Sequence, residues 1–211
     1  MIASLAFAVY LGNYQPGNSK FAFWYFLLCE VSYIGFITIT LSKNGLRHWF
    51  VKKWGNEHDG YLAFETILGF LFFHNGVSIG YIASANPDGL FNFLNKDALL
   101  MIVVLLFISG FTVKIFAAKA VTINIYYWKD MFLGKKISDF VVSGPYKFLR
   151  NPMYGIGQLQ VYAIAIWYGS KYGLIAALLN QFLIFSFYYL IEKKFINRVY
   201  NKITPQPEFV M

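Results

Sequence analysis

Four apolar runs, at 21–41, 61–84, 98–118 and 173–191, constrain this chain more than any other feature. Each supplies the roughly 20 helical residues needed to cross a hydrocarbon core about 30 Å thick. A fifth run, 153–168, is shorter and is parted from the last only by Gly169-Ser170-Lys171-Tyr172-Gly173, so 153–191 reads as a helical hairpin with a tight turn. In lipid every backbone N–H and C=O must be satisfied within the chain, and these runs lack the alternating pattern of barrel strands. The expected fold class is therefore all-α, a polytopic transmembrane helical bundle of about five helices, folded as a single domain over 1–211. With 58% of residues hydrophobic and 13% charged, a soluble globular domain is excluded. Residues 1–12 are apolar but too short to span and lack the basic start of a signal peptide, so an interfacial or re-entrant segment is expected there. Pro205 and Pro207 mark a tail expected to fray.

The basic residues orient these spans. Lys43, Arg47, Lys52 and Lys53 lie in one loop, and Lys119, Lys129, Lys135, Lys136, Lys147 and Arg150 in the next connector on the same side. Lys193, Lys194, Arg198 and Lys202 follow in the tail, whereas the opposite side carries only Lys20, Lys96 and Lys171; Lys114 falls inside an apolar run. Basic loops stay cytoplasmic, so a multi-pass protein with a cytoplasmic C-terminus is expected, in an endoplasmic reticulum or a bacterial inner membrane alike. The same distribution accounts for the net charge of +8 without a nucleic-acid partner, since the charges are dispersed over short loops rather than gathered on one domain. Cys29 is the only cysteine, so no intramolecular disulfide and no cysteine metal site can form, and no metal is expected. Oligomeric state leaves no mark on the sequence.

Against this apolar background stands the charged, aromatic stretch Gly144-Pro145-Tyr146-Lys147-Phe148-Leu149-Arg150-Asn151-Pro152-Met153-Tyr154. Its prolines fix two φ angles and push Gly144 and Asn151 toward extended conformations, so the loop is largely preset before any ligand arrives. The connector 119–152 that leads into it is too long for a plain turn. Its Tyr126, Tyr127, Trp128, Phe132, Phe140, Tyr146 and Phe148 fit either an aromatic belt at headgroup level or a lid over a pocket. Glu192 closes the last helix, where a carboxylate opposes the helix dipole unless a cation sits nearby. Because Tyr154 opens the hairpin and Glu192 ends it, both return to one membrane face and can share a pocket. Glu30, Glu65 and His74 lie within apolar runs, where ionisable groups face the bundle interior or water. Depth counting pairs Glu30 with His74 and puts Glu65 one turn from the cytoplasmic end of its helix. Gly155-Ile156-Gly157 fits close helix packing.

The run Gly144-Pro145-Tyr146-x-x-x-Arg150-Asn151-Pro152-x-Tyr154, followed by a hairpin and Glu192, resembles the membrane superfamily of phospholipid and isoprenylcysteine methyltransferases. The resemblance covers roughly residues 100–202. Within it, Asn151-Pro152-Met153-Tyr154, Glu192-Lys193-Lys194-Phe195 and Val199-Tyr200 are most similar to phosphatidylethanolamine N-methyltransferases, as is Trp128-Lys129-Asp130-Met131-Phe132-Leu133-Gly134. It implies S-adenosylmethionine in a cytoplasmic cofactor pocket, held by Tyr146, by Asn151, Pro152, Met153 and Tyr154, and by Glu192, with Phe140 and Val141 as upstream contacts. Arg150 or backbone N–H groups would receive the carboxylate of that cofactor. Three positions depart from the family pattern: its paired glutamates are Glu192-Lys193 here, the isoprenylcysteine enzymes' histidines are replaced by Asn151 and the Ser138-Asp139 region, and the glycine pair of an earlier helix reduces to Gly110. These differences weigh against the isoprenylcysteine branch.

The resemblance thus implies methyl transfer from S-adenosylmethionine to a membrane lipid acceptor, foremost the amine of phosphatidylethanolamine or its methylated forms. Glu192 is then expected mainly to hold the cofactor, and Glu65 or His74 to accept the proton that the acceptor ammonium must lose. Other readings stay open: methylation of an isoprenylcysteine carboxylate or a small thiol, a sterol-reductase-like protein using a nicotinamide dinucleotide, or a non-catalytic scaffold.

Overall fold

A computed structural model of the chain describes residues 18–137 and 143–200. The expected all-α architecture is what these residues form, with no strand among them. The order is α1 (Ser19–Leu41), α2 (Arg47–Trp54), α3 (Glu57–Ala85), α4 (Lys96–Tyr126), α5 (Lys129–Leu133), α6 (Leu159–Trp167), α7 (Lys171–Phe187) and α8 (Lys193–Val199). Short 3₁₀ turns at Gly144–Lys147 and Ile156–Gln158 punctuate the motif stretch, and a π-helical turn at Tyr188–Glu192 joins α7 to α8. Four helical stretches are long and apolar enough to cross a membrane, Ser19–Leu41, Glu57–Ala85, Lys96–Val121 and Lys171–Val199, and a shorter apolar helix runs from Ile156 to Trp167. The chain is an integral membrane protein. The segment expected at 1–12, the tail prolines, Phe140 and Val141 lie outside the described residues.

Polar side chains mark where the spans begin. Asn18 Oδ1 accepts from the Phe21 N–H, Asn56 Oδ1 from Asp59 N–H, Asn95 Oδ1 from Ala98 N–H and Ser170 Oγ from Gly173 N–H. Each satisfies a helix N–H that has no partner within its own helix, and each cap stabilises its helix by about 1 kcal/mol. The turn between α6 and α7 is tied to the α3–α4 connection, with the Lys171 N–H bonding Asp88 Oδ2 at 2.9 Å and the Leu90 N–H bonding the Gly169 carbonyl at 3.0 Å.

Among helices in lipid, association relies on close packing and polar contacts rather than on escape from water. Small residues therefore set the distances. A methyl on Gly173 would come within 2.6 Å of Ala83 Cβ, and one on Gly110 within 2.6 Å of Gln160 N, so α7 meets α3 and α4 meets the Ile156–Gln160 segment nearly backbone to backbone. Two aromatic-rich cores result. One gathers Phe50, Phe64, Trp128, Phe132, Phe187 and Phe195 at the end that carries the motif; the other gathers Tyr25, Phe26, Ile79, Ile82 and Ala177 toward the opposite end. Only 6% of the apolar stretch of α4 is buried, against 33% for the other three spans, so α4 lies at the outside of the bundle with most of its face left to lipid.

The basic segments converge as the charge pattern anticipated. Arg47 Nη1 donates to the Met131 carbonyl at 3.1 Å, Lys135 pairs with Glu57 at 2.6 Å, and the Tyr200 hydroxyl donates to Asp130 Oδ2 at 2.9 Å. The α1–α3 connection, α5 and the start of the tail thus form one end of the bundle.

Two local details differ from the sequence reading. Gly144, expected to be extended before Pro145, has φ +57°, in the left-handed region that is readily open only to glycine. Glu192 does not close the last helix: the π-helical turn carries the chain past it into α8, and the turn's extra residue shifts Glu192 out of α-helical register.

Candidate functional site

The motif stretch is wound tightly from Asn151 onward. The Gly155 N–H bonds the Asn151 carbonyl at 2.9 Å and the Gly157 N–H bonds that of Pro152 at 2.8 Å, so the chain turns back on itself before α6 begins. Pro152 is buried in this coil. A Cβ on Gly157 would lie 3.0 Å from the Pro152 carbonyl oxygen, so only glycine fits there without displacement. From α7, Gln181 fixes the coil: its Nε2 donates to the Tyr154 carbonyl at 3.0 Å while its Oε1 accepts from the Tyr162 hydroxyl at 2.5 Å.

This winding carries the Tyr154 side chain across to the π-helical turn, where its hydroxyl donates to Glu192 Oε2 at 2.8 Å. Burial and the neighbouring Glu192 charge hold the Tyr154 phenol well above its ordinary pKa, so the hydroxyl stays a donor at neutral pH. The Trp128 side chain also hydrogen-bonds Glu192. Trp128 stands at φ +55°, the one non-glycine residue with positive φ among those described, a backbone cost of roughly 1–3 kcal/mol at a residue that touches the candidate carboxylate. The ring of Tyr188 meets that of Tyr154 edge-on at 6.1 Å, and the Asn151 side chain hydrogen-bonds the Tyr188 hydroxyl. Tyr146 lies close enough to Tyr154 to interact with it electrostatically, and Arg150 acts likewise on Tyr188. The fold therefore brings together Tyr146, Arg150, Asn151, Tyr154 and Glu192. Lys193, at the family's second glutamate, sends its ammonium over the Tyr189 ring at 5.4 Å.

A cavity of about 440 Å³ runs from this cluster into the bundle. Trp128, Met153 and Tyr154 form one part of its wall; Phe72, Asn75, Lys114, Gln160 and Asn180 form the deeper part. The aromatic connector is thus neither a plain belt nor a plain lid. Trp128 and Phe132 are core residues, Tyr127 and Trp128 line the cavity, and Phe148 is 83% exposed.

The remaining sequence candidates stand apart from the cluster in different degrees. Glu65 accepts from the Tyr61 hydroxyl at 3.2 Å and acts electrostatically on Tyr127, which lines the cavity. His74 is 6% exposed and bonded through Nδ1 to the Tyr25 hydroxyl of α1 at 2.6 Å, outside the cavity wall. Gly110 faces the Gln160 backbone as a packing contact and does not line the cavity. Glu30 does not pair with His74: its carboxylate accepts from Asn75 Nδ2 at 2.7 Å and Asn180 Nδ2 at 3.1 Å. Sequence reasoning named Trp128 only among the aromatics of a belt or a lid, and passed over Gln181 as a site residue. Trp128 lies in a segment whose likeness to the phosphatidylethanolamine enzymes was already visible, whereas a lone glutamine in an apolar run carried no comparable signal.

Residues 99–203 match the family model described as Phospholipid methyltransferase. This half of the molecule belongs to that family. It holds the whole motif, the π-helical turn and Glu192. A phosphatidylethanolamine N-methyltransferase of Eremothecium gossypii is 31% identical over 93 residues, covering 44% of this chain and 11% of that protein. Phosphatidylethanolamine N-methyltransferase 1 of Vanderwaltozyma polyspora is 28% identical over 125 residues, 59% of this chain and 15% of that protein. The counterpart from Kluyveromyces lactis is 29% identical over 105 residues, 50% of this chain and 12% of its own. The chain thus aligns with only 11 to 15% of the length of these relatives. No solved structure matches it.

The donor set suits a cationic cofactor. A carboxylate offers about four lone-pair sites. Tyr154 and Trp128 leave part of that capacity on Glu192 for a ligand, and the aromatic faces of Tyr154 and Tyr188 beside it attract positive charge.

Proposed function

We propose that this protein methylates the amine of phosphatidylethanolamine, or of its mono- and dimethylated forms, using S-adenosylmethionine bound at the motif end of the bundle on the cytoplasmic side. The observation that carries the reading is the Tyr154–Glu192 hydrogen bond beside a cavity that enters the lipid-spanning part of the protein. Family membership of residues 99–203 supports it. Bound there, S-adenosylmethionine supplies an electrophilic methyl on a sulfonium.

Glu192 holds the cationic part of the cofactor, and Tyr154 and Trp128 aim its carboxylate by two hydrogen bonds. Arg150 and the backbone N–H groups of the 144–151 loop receive the cofactor carboxylate. Tyr146 and Tyr188 close the aromatic side of the site. The acceptor enters laterally from lipid into the cavity between α3, α4, α6 and α7. Its amine must be neutral to attack, so a group near the cavity has to take a proton. Glu65, linked to the wall through Tyr127, fits that role better than His74, whose ring is turned toward α1. Catalysis in such a site is positioning and water exclusion more than covalent chemistry.

Purified full-length protein would be incubated with methyl-labelled S-adenosylmethionine and a total lipid extract, and the products identified by mass. Label in methylated ethanolamine lipid is the expected result. Label in a prenylated or small thiol would replace the acceptor, and absence of both transfer and cofactor retention would sink the reading.

A further inference from the structure

Lys114 is an ionisable residue inside the apolar run 98–118 of α4, and a charge placed there is costly unless something in the bundle uses it. It lies seven residues inside the Val121 end of the span, about 10 Å along the helix axis. Although α4 gives most of its face to lipid, the Lys114 side chain turns inward and lines the cavity. Glycine makes room for it: an added Cβ on Gly157 would lie 3.6 Å from the Cβ of Lys114. Its ammonium sits 5.5 Å from the centroid of the Phe72 ring, which lines the same cavity. Among the described residues it has neither a carboxylate nor a hydrogen-bond acceptor as partner.

Snorkelling to the headgroup layer does not explain this placement, because a snorkelling lysine extends along the lipid-facing surface. Nor does the wall lack other polar groups without partners: Gln160 also lines the cavity, and its buried Oε1 has no hydrogen-bond partner. An ammonium and an amide carbonyl without partners in one cavity leave it incomplete without a polar ligand.

We propose that Lys114 is the phosphate-binding residue of the lipid acceptor, a cation that draws the phosphodiester of a glycerophospholipid into the cavity and so places its headgroup toward Trp128 and Tyr154. The assignment deepens the phospholipid-methyltransferase reading above, from which it takes the identity of the lipid. A phosphate oxygen at the ammonium gives a charge-assisted hydrogen bond in a low-dielectric wall, and the same pocket discriminates against a lipid without the phosphate. Lys114 here is a binding residue for the acceptor and touches no reacting atom.

The test uses the full chain in detergent micelles, with dioleoylphosphatidylethanolamine and dioleoylglycerol as competing probes and native mass spectrometry as the readout. The wild type is expected to retain the phospholipid about tenfold better than the diacylglycerol, Lys114→Met to lose that preference, and Lys114→Arg to keep it. Thermal unfolding of Lys114→Met should be unchanged or raised, since a lone buried charge is removed, and this separates lost binding from lost fold. Unchanged lipid preference in Lys114→Met would overturn the proposal. So would a fall in its S-adenosylhomocysteine affinity with lipid preference intact, which would give the ammonium to the cofactor carboxylate. Failure of the wild type to transfer methyl groups would strike the reading above, and the lipid competition would still decide this one.

Discussion

Tyr154 and Glu192, 38 residues apart, are joined by a hydrogen bond of 2.8 Å that closes the base of the hairpin formed by α6 and α7. The bond depends on two departures from regular structure, the coil at Asn151–Gly157 that turns Tyr154 inward and the π-helical turn that carries Glu192. Structural closure alone would be served equally by an apolar pair. A carboxylate with two side-chain donors and unfilled acceptor capacity is suited to a cation.

Glu192→Gln keeps the shape and removes the charge. Its affinity for S-adenosylhomocysteine, measured by calorimetry, should fall at least tenfold, while Glu192→Ala should abolish binding. Tyr154→Phe keeps the ring and removes one donor, so a loss of about threefold to tenfold is expected. Full affinity in Glu192→Ala would remove Glu192 from the site.

Gly110 separates packing from binding. Its added Cβ would meet Gln160 N at 2.6 Å and Leu159 Cβ at 3.2 Å, and the first contact is backbone that cannot rotate away. Gly110→Ala should therefore destabilise by about 1–3 kcal/mol. Gly35, in α1, has nothing within 4 Å of an added Cβ, and Gly35→Ala should be neutral or stabilising by up to about 1 kcal/mol. Thermal unfolding in detergent would compare the two, and equal midpoints would contradict the close approach of α4 to Gln160.

Asp130 gives the motif end a pH dependence. It is 6% exposed, accepts from the Tyr200 hydroxyl and the Met131 N–H, and burial raises its carboxyl above the ordinary value of 3.8 despite those bonds. The folded state thus holds this proton more tightly than the unfolded state. Its contribution is fully present below pH 3.8 and is lost as pH rises through the raised folded value. Asp130→Asn keeps an acceptor for Tyr200 and removes the titration, so its unfolding midpoint should vary less with pH across that window than that of the wild type. Parallel pH profiles would show that Asp130 is not the group responsible.

The spans were legible because length and apolarity alone decide them, and the hairpin because a short turn between two apolar runs leaves antiparallel neighbours as the only arrangement. Tyr154 and Glu192 could be placed on one membrane face by the same logic. Legibility stopped where azimuth around a helix mattered. Glu30 and His74 fall at similar depth, yet depth does not say which way a side chain points, and Glu30 turns to Asn75 and Asn180 while His74 turns to Tyr25. The left-handed Trp128 and the π-helical turn are imposed by tertiary packing against local preference, so no propensity signals them.

The Glu30 cluster supplies the last expectation. Glu30 on α1 is 1% exposed and is bonded by Asn75 on α3 and Asn180 on α7, which also bond each other at 2.9 Å. Three spans are thereby joined at a depth where water does not compete, although such bonds between membrane helices are worth only about 0.6 kcal/mol on average. Asn180→Leu removes one of the two amide donors to Glu30, and with it the bond to Asn75, and leaves a buried carboxylate with Asn75 alone, so its cost should exceed that average and reach about 1–3 kcal/mol. Glu30→Gln in the same background should recover part of the loss, because a neutral amide needs less hydrogen bonding than a carboxylate. A double-mutant cycle read by thermal unfolding would measure that recovery, and strict additivity would mean that the two side chains do not act as one unit.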